Sequence, residues 1–265
     1  MKSDLIILIA HYNNPKGLED SLMSIREPFP IDIMIVDDGS KNKFNEDHIR
    51  SIYTFGKIYF KYLKQNSGVG IAANLGLEEI QSLNYKLIGR LDCGDLCYEN
   101  KYQKQLDYLR KNPEVKILGT WARFVDEKGA FLHNLIHPTE YEDIKNKMFL
   151  NSMFCNPTMV FYTEIIEKTG NYPYKYRHAA QDYAFFFNAI QHYKAENYPE
   201  ILMDYIVDPK SISTTKRKLQ VKNRIKIVIE HFYLGFYPIY GLFRGVLLYM
   251  FPRSVTTFLK KILKH

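Results

Sequence analysis

The chain has 265 residues, 46% of them apolar and 15% aromatic, with a formal net charge of +7. That content buries a substantial core in one domain plus an appendage, and it excludes a disordered or fibrous protein. The charge is segregated: from residue 209 onward twelve Lys or Arg face one acid, Glu230, a net +11, while residues 1–208 carry 24 basic and 28 acidic side chains, a net −4.

Residues 4–10 read as a buried strand, followed by His11-Tyr12-Asn13-Asn14-Pro15 and a helical stretch containing Leu18, Leu22 and Ile25. Met1-Lys2-Ser3 leads straight into that strand, with Asp4 before the apolar run and no small-residue cleavage site, so no secretory signal is expected. The run Ile33-Met34-Ile35-Val36 ends abruptly in Asp37-Asp38-Gly39-Ser40. It is too short for a helix and too apolar for a surface strand, which predicts an interior strand of a parallel sheet. Residues 57–63 form a third strand, followed by Gln65-Asn66-Ser67-Gly68-Val69-Gly70 and a helix carrying Ala72, Ala73, Asn74 and Leu75. Residues 86–91 form a fourth, ending in Asp92-Cys93-Gly94-Asp95.

Four strand-to-helix units with short connections imply a parallel sheet with a half-Rossmann nucleotide site. Ligands bind at the carboxyl edge of such sheets, where paired acids accept hydrogen bonds from a base or sugar or help hold a cation. Asp, Gly and Ser are also ordinary turn residues, so each segment alone is equally a loop. Cys93, Cys97 and Cys155 are an odd number without zinc-like pairing, and free thiols in a reducing compartment are expected.

After the fourth unit the pattern changes. Residues 117–125 read as a strand and Asp126-Glu127-Lys128-Gly129 as a hairpin turn. Trp121 on that strand is either core or a stacking surface for a sugar. His133, His137 and His178 lack ligand spacing. The aromatic loop from Tyr172 to Tyr176 reads as a flap or as packing against the sheet, and Ala179-Ala180-Gln181-Asp182-Tyr183 opens a helix where an Asp serves as cap, as chemistry, or as both.

The segment His231–Phe251 is long, aromatic and free of acids, but Pro238 and Arg244 interrupt it and leave no run of about 18 apolar residues. With the flanking clusters Lys216-Arg217-Lys218 and Lys260-Lys261-Ile262-Leu263-Lys264, it reads as a surface-lying or re-entrant membrane anchor, or as helices packed on the body. The apolar tail and acidic body argue against nucleic acid as the partner.

Five segments in order, Ile9-Ala10-His11-Tyr12-Asn13, Val36-Asp37-Asp38-Gly39-Ser40, Asn66 to Gly76, Arg90-Leu91-Asp92-Cys93-Gly94-Asp95 and Gln181-Asp182, give residues 4–190 a specific likeness. The chain resembles the inverting glycosyltransferases of family 2. That resemblance implies a GT-A fold, a Rossmann-like, mainly parallel α/β sheet flanked by helices, with residues 1–208 as catalytic domain, while charge and aromatic content set residues 209–265 apart as a basic, membrane-associating helical tail. It implies nucleotide-sugar contacts from Ala10, Tyr12, Asp38, Gly68, Asn74, Arg90 and Asp92, with Asp38 accepting from the uracil ring. Asp95 would hold Mn²⁺ or Mg²⁺, and Asp182 would be the general base. Gly94 departs from the pattern where a further acid is common, and Gln181 departs where Glu is usual.

The activity so implied is transfer of a hexose or N-acetylhexosamine from a UDP sugar to a lipid-linked or oligosaccharide acceptor, in cell-surface polysaccharide biosynthesis. The expected location is the cytoplasmic face of a bacterial membrane, on its anionic surface. A sugar nucleotidyltransferase would share the sheet, but it calls for a basic, glycine-rich phosphate loop after the first strand, and His11 to Pro15 offers none. A non-catalytic, membrane-associated nucleotide-binding protein would need neither Asp95 nor Asp182.

Overall fold

The computed structural model describes residues 4–208 and 215–251. Its centre is the set of apolar runs: β1 (Leu5–His11), β2 (Asp32–Asp37), β3 (Ile58–Tyr62) and β4 (Leu87–Arg90) lie parallel in the order β3-β2-β1-β4. Side chains alternate across a strand, so each run feeds two cores. Ile6, Leu8, Met34 and Val36 pack against Ala72, Ala73, Leu77 and Ile80 of α3 (Val69–Ser82). On the opposite face Leu5, Ile7, Ile9, Ile33 and Ile35 meet Leu18 and Leu22 of α1 (Pro15–Ser24) and Ile49 of α2 (Glu46–Ile52). Burial on both faces is why these strands are continuously apolar; each such side chain contributes about 1.5–3 kcal/mol. Gly76 lets α3 close on the sheet, since a Cβ there would stand 2.3 Å from Leu8 Cδ1.

Beyond β4 the sheet becomes mixed. The β8 strand (Val160–Tyr162) runs antiparallel to both β4 and β6 (Val115–Asp126), β9 (Lys194–Val207) lies parallel to β6, and β5 (Leu96–Cys97) closes that edge antiparallel to β9. A hairpin joins β6 to β7 (Phe131–Leu135) at the predicted turn, where the Asp126 carboxylate accepts from the Lys128 and Ala130 amides at 2.9 and 2.8 Å. Helices α4 (Lys101–Lys111), α5 (Tyr141–Lys147), α6 (Glu164–Thr169) and α7 (Gln181–Ala189) complete the body. The three cysteines are free.

An antiparallel helical pair, α8 (Arg217–Glu230) and α9 (Phe236–Met250), follows. Arg217 joins its open end by donating to the Leu248 and Phe251 carbonyls at 3.0 and 3.2 Å, satisfying acceptors that a helix C-terminus leaves free. Val221, Asn223, Ile227 and Val228 are buried, His231 stacks on Phe187 of α7 at 4.4 Å, and Gly241 brings α9 against Phe149. The pair is therefore packed on the body. No helix among the described residues is long and apolar enough to cross a membrane, and the Lys260–Lys264 cluster lies outside them.

Candidate active site

The carboxyl edge is organised first by the partners His11 and Asp37 at the ends of β1 and β2. The Asn14 amide donates to His11 Nε2 at 3.2 Å, so the ring proton sits on Nδ1 and goes to Asp37 Oδ1 at 2.7 Å. Burial pushes the Asp37 carboxyl up, but hydrogen bonds from Ser40 and His11 outweigh it and hold the group below its ordinary range. Asp37 is thus an internal strut. Asp38 turns the other way and accepts from the Ser67 and Gly68 amides at 2.7 and 2.8 Å, which fastens the loop before α3 to the end of β2. Burial dominates at Asp38 and raises its carboxyl, with the two amides pulling it back. Gly39, at φ 65°, leaves room for this crossing, because a Cβ would lie 2.3 Å from the Gln65 carbonyl carbon. Ala10 is half-buried at the end of β1, and Tyr12 stands 47% exposed at the rim.

The second group of acids hangs from β4. The turn from Asp92 to Asp95 is closed by the Asp95 amide on the Asp92 carbonyl at 3.1 Å and is pinned to α1 by Ser21, which accepts from the Gly94 amide and donates to the Asp95 carbonyl. Gly94 has φ 107°, a conformation that strains any L side chain, so a carboxylate is absent here for a backbone reason. Arg90 is 1% exposed; Nη2 lies 3.4 Å from Asp92 Oδ1, while Nε and Nη1 have no partner among the described residues. Asp92, its side chain 35% accessible, is pushed up by burial, pulled down by Arg90 and raised again by the charge of Asp182. Asp95 accepts from the Ile206 amide at 2.9 Å through Oδ1, and its buried Oδ2 has no partner among the described residues. Burial and the Asp92 charge hold the Asp95 carboxyl well above its ordinary range.

The third group belongs to α7. Ala180 precedes that helix at φ 65°, a left-handed conformation that costs a non-glycine residue about 1–2 kcal/mol and that the surroundings impose. Asn223 of α8 donates to the Ala179 carbonyl at 2.9 Å just before it. A Cβ on Gly70 would meet Gln181 Cγ at 3.1 Å, so the start of α7 abuts the loop that Asp38 holds. Asp182 sits in the first turn, partly exposed, and its charge is felt at Asp92, Tyr172 and Arg224. The neighbouring loop is anchored: Tyr172 and Tyr176 are buried and Tyr174 points outward.

Of the residues singled out in the sequence, Arg90, Asp92, Asp95 and Asp182 form one electrostatic cluster, and Asp38 and Gly68 border it through the glycine loop. Asn74 is committed elsewhere, its side-chain amide donating to the Tyr172 carbonyl and accepting from the Tyr172 amide, both at 2.9 Å. It fixes the wall beside Arg90, whose guanidinium lies 5.9 Å from the Tyr172 ring centre. Two residues given no role in the sequence reading join the site: Asn156, whose amide nitrogen lies 3.5 Å from Asp92 Oδ1, and Tyr205, which carries no local signal. Trp121 donates its indole N–H to the His137 carbonyl at 2.9 Å.

A partnerless Asp95 oxygen beside Asp92 is an all-oxygen donor set of the kind that suits Mg²⁺ or Mn²⁺. No group of three His, Cys, Asp or Glu among the described residues forms a complete cage, so phosphate and water oxygens would have to supply the other ligands.

The motif order and this edge agree with what the chain is similar to. Residues 6–170 match glycosyl transferase family 2. An uncharacterised glycosyltransferase of Methanocaldococcus jannaschii is 28% identical over 97% of this chain and 91% of its own. The UDP-Gal:alpha-D-GlcNAc-diphosphoundecaprenol beta-1,3-galactosyltransferase of Escherichia coli is 26% identical over 88% and 85%. Among solved structures, S. aureus TarS 1–349 in complex with UDP-GlcNAc superposes with TM-score 0.72 at 15% identity, covering 96% of this chain and 74% of that one. The Pyrobaculum calidifontis mannosyltransferase PcManGT, in complex with GDP-Man and Mn²⁺, gives 0.62 at 13%, covering 94% and 74%. With the GT-A sheet in place and a family match spanning the segments that carry Asp38, Arg90, Asp92 and Asp95, the chain belongs to glycosyl transferase family 2.

Proposed function

We propose that this glycosyltransferase moves a hexose or N-acetylhexosamine from a UDP sugar to a saccharide acceptor, with inversion at the anomeric carbon, during synthesis of a lipid-linked surface polysaccharide. The observation that carries the reading is the meeting of Asp92 and Asp95, beside a guanidinium with two unpartnered nitrogens, with Asp182 on α7. Asp182 accepts the proton of the acceptor hydroxyl as that oxygen attacks C1 from the face opposite the departing UDP; such a base contributes about 10²- to 10⁴-fold. Arg90 offers its free N–H groups to the donor, and Asp38 holds the glycine loop against which the nucleotide lies. Asp95, with Asp92 behind it, would hold Mn²⁺ or Mg²⁺, which when bound neutralises the leaving diphosphate. The name of the E. coli relative, with a UDP donor and a diphosphoundecaprenol acceptor, and the UDP-GlcNAc and Mn²⁺ complexes of TarS and PcManGT support these choices.

We assign the reaction to the cytoplasmic face of a bacterial membrane, a reading that the surface of the α8–α9 pair supports. On α9 the exposed positions Phe236, Ile239, Tyr240, Phe243, Leu247 and Met250 are all apolar or aromatic, and on α8 the exposed Lys218, Lys222 and Lys226 form an i, i+4 stripe. An apolar face beside a lysine stripe suits an anionic lipid surface, where each cation contributes about 1 kcal/mol.

A panel of UDP and GDP sugars, with Mn²⁺ or Mg²⁺ and with or without a lipid-diphosphate saccharide, tests the reading through nucleotide release. Acceptor-stimulated UDP release that vanishes in Asp95→Asn is the expected result; Asn at 95 still accepts from the Ile206 amide, so the fold persists. Release that is indifferent to metal and to Asp95→Asn would refute the catalytic reading and favour a binding protein.

A further inference from the structure

The β9 strand reaches the acids at residues 204–206. The Ile206 amide is the donor to Asp95, so the backbone on one side of Tyr205 is tied to the acid turn itself. On the other side Asp204 accepts two bonds from Arg123, at 2.7 and 2.6 Å, and one from Tyr98 at 2.6 Å. Neighbouring side chains on a strand point to opposite faces, which leaves Tyr205 facing away from that ion pair. Its register partner Phe124 stacks on it at 4.4 Å between centroids and 12° between planes, and His133 of β7 stacks on the far side of Phe124 at 4.7 Å and 30°. Two rings in a row, Phe124 and then His133, thus back one face of Tyr205.

The ring sits on the stretch of β9 that the Ile206 amide ties to Asp95. Burial and the charges of Asp92, Asp95 and Asp182 push the Tyr205 phenol well above its ordinary range, which keeps it a neutral O–H within the field of the three acids. The hydroxyl has no hydrogen-bond partner among the described residues. A flat ring fixed from behind, with its hydroxyl within the field of these acids, matches a pyranose, which has one C–H-rich face and hydroxyls around its rim.

We propose that Tyr205 is the floor of the acceptor subsite, stacking on the pyranose that receives the new sugar, with Phe124 and His133 as its backing. The assignment rests on the glycosyltransferase reading above. It makes the β6–β7 hairpin a determinant of acceptor choice, because His133 positions the stack without touching substrate.

Two binding measurements on the full chain separate the assignment from the reading it rests on. UDP with Mn²⁺ is titrated calorimetrically, and octyl glycosides of galactose, glucose and N-acetylglucosamine are followed by saturation-transfer NMR in the presence of UDP. Wild type should transfer saturation to the C–H protons of one sugar face. Tyr205→Ala should weaken glycoside binding about three- to ten-fold, the scale of one aromatic contact, and leave UDP affinity unchanged. Tyr205→Phe should keep the ring-face pattern, and Phe124→Leu should reproduce part of the loss. Unchanged glycoside binding in Tyr205→Ala, loss of UDP rather than glycoside affinity, or no glycoside bound by a wild type that binds UDP would each overturn the assignment. A wild type that binds glycosides but not UDP would refute the donor reading while the Tyr205 variants still report on the ring.

Discussion

Replacing Asp182 with asparagine preserves its shape and removes its ability to take a proton. The side chain lies in the first turn of α7, with no hydrogen bond to any described residue that the amide would forfeit, so the structural loss is confined to charge. An acid near a helix start contributes about 0.3–1 kcal/mol, which in a chain of this size lowers Tm by no more than about 4 °C. The catalytic loss is of another order: a base contributing about 10²- to 10⁴-fold corresponds to roughly 3–5 kcal/mol of barrier. Acceptor-dependent UDP release under saturating donor should therefore fall by about that factor, with UDP affinity and the melting curve nearly unmoved. A kcat within about ten-fold of wild type would show that Asp182 is a helix-start residue and that the proton leaves by another route.

Asn74→Ala removes two hydrogen bonds to the Tyr172 backbone and strands both of its polar groups, for a loss of about 2–3 kcal/mol in urea unfolding; a change below about 0.5 kcal/mol would refute the wall-fixing role. Burial lowers the His137 pKa to about 4 from its ordinary 6.5, so the unfolded chain takes up a proton there before the folded one does. Stability is therefore full above pH 6.5 and declines as pH falls toward 4, by up to about 3 kcal/mol, and His137→Gln should flatten that slope in pH-dependent denaturation. Identical slopes would show that His137 does not contribute. Phe236→Ser, Phe243→Ser and Leu247→Ser combined should weaken sedimentation with phosphatidylglycerol vesicles at least about ten-fold without altering the fold, since all three side chains are exposed. Undiminished vesicle binding would sink the α9 face as the contact. Substitution is a cleaner test than truncation from residue 225, which would also take Ile227 and Val228 out of the core.

Much of the site was legible in the primary structure. The predicted strands at 4–10, 57–63 and 86–91 lie within a residue or two of Leu5–His11, Ile58–Tyr62 and Leu87–Arg90, because uninterrupted apolar runs bounded by polar turns leave a strand little choice of limits. Asp38, Asp92 and Asp95 follow from that, since a parallel strand delivers whatever residue ends it to the carboxyl edge. Asn74 illustrates the opposite case: its place beside the glycine loop was evident, but its partner is 98 positions away, and no local pattern announces a bond to Tyr172.

The continuity and length of the apolar runs determined by themselves the parallel half of the sheet and the edge on which its acids stand, because burial on both faces is a local demand on consecutive side chains. The tertiary structure alone decided that the charge of Asp182 reaches Asp92, that α8 buttresses the start of α7 through Asn223, and that Tyr205 lies within the field of the acids. Each of these depends on how the mixed strands β6, β8 and β9 pair across long separations, and the 111 positions between Asp95 and Ile206 are closed by packing that no stretch of sequence carries alone.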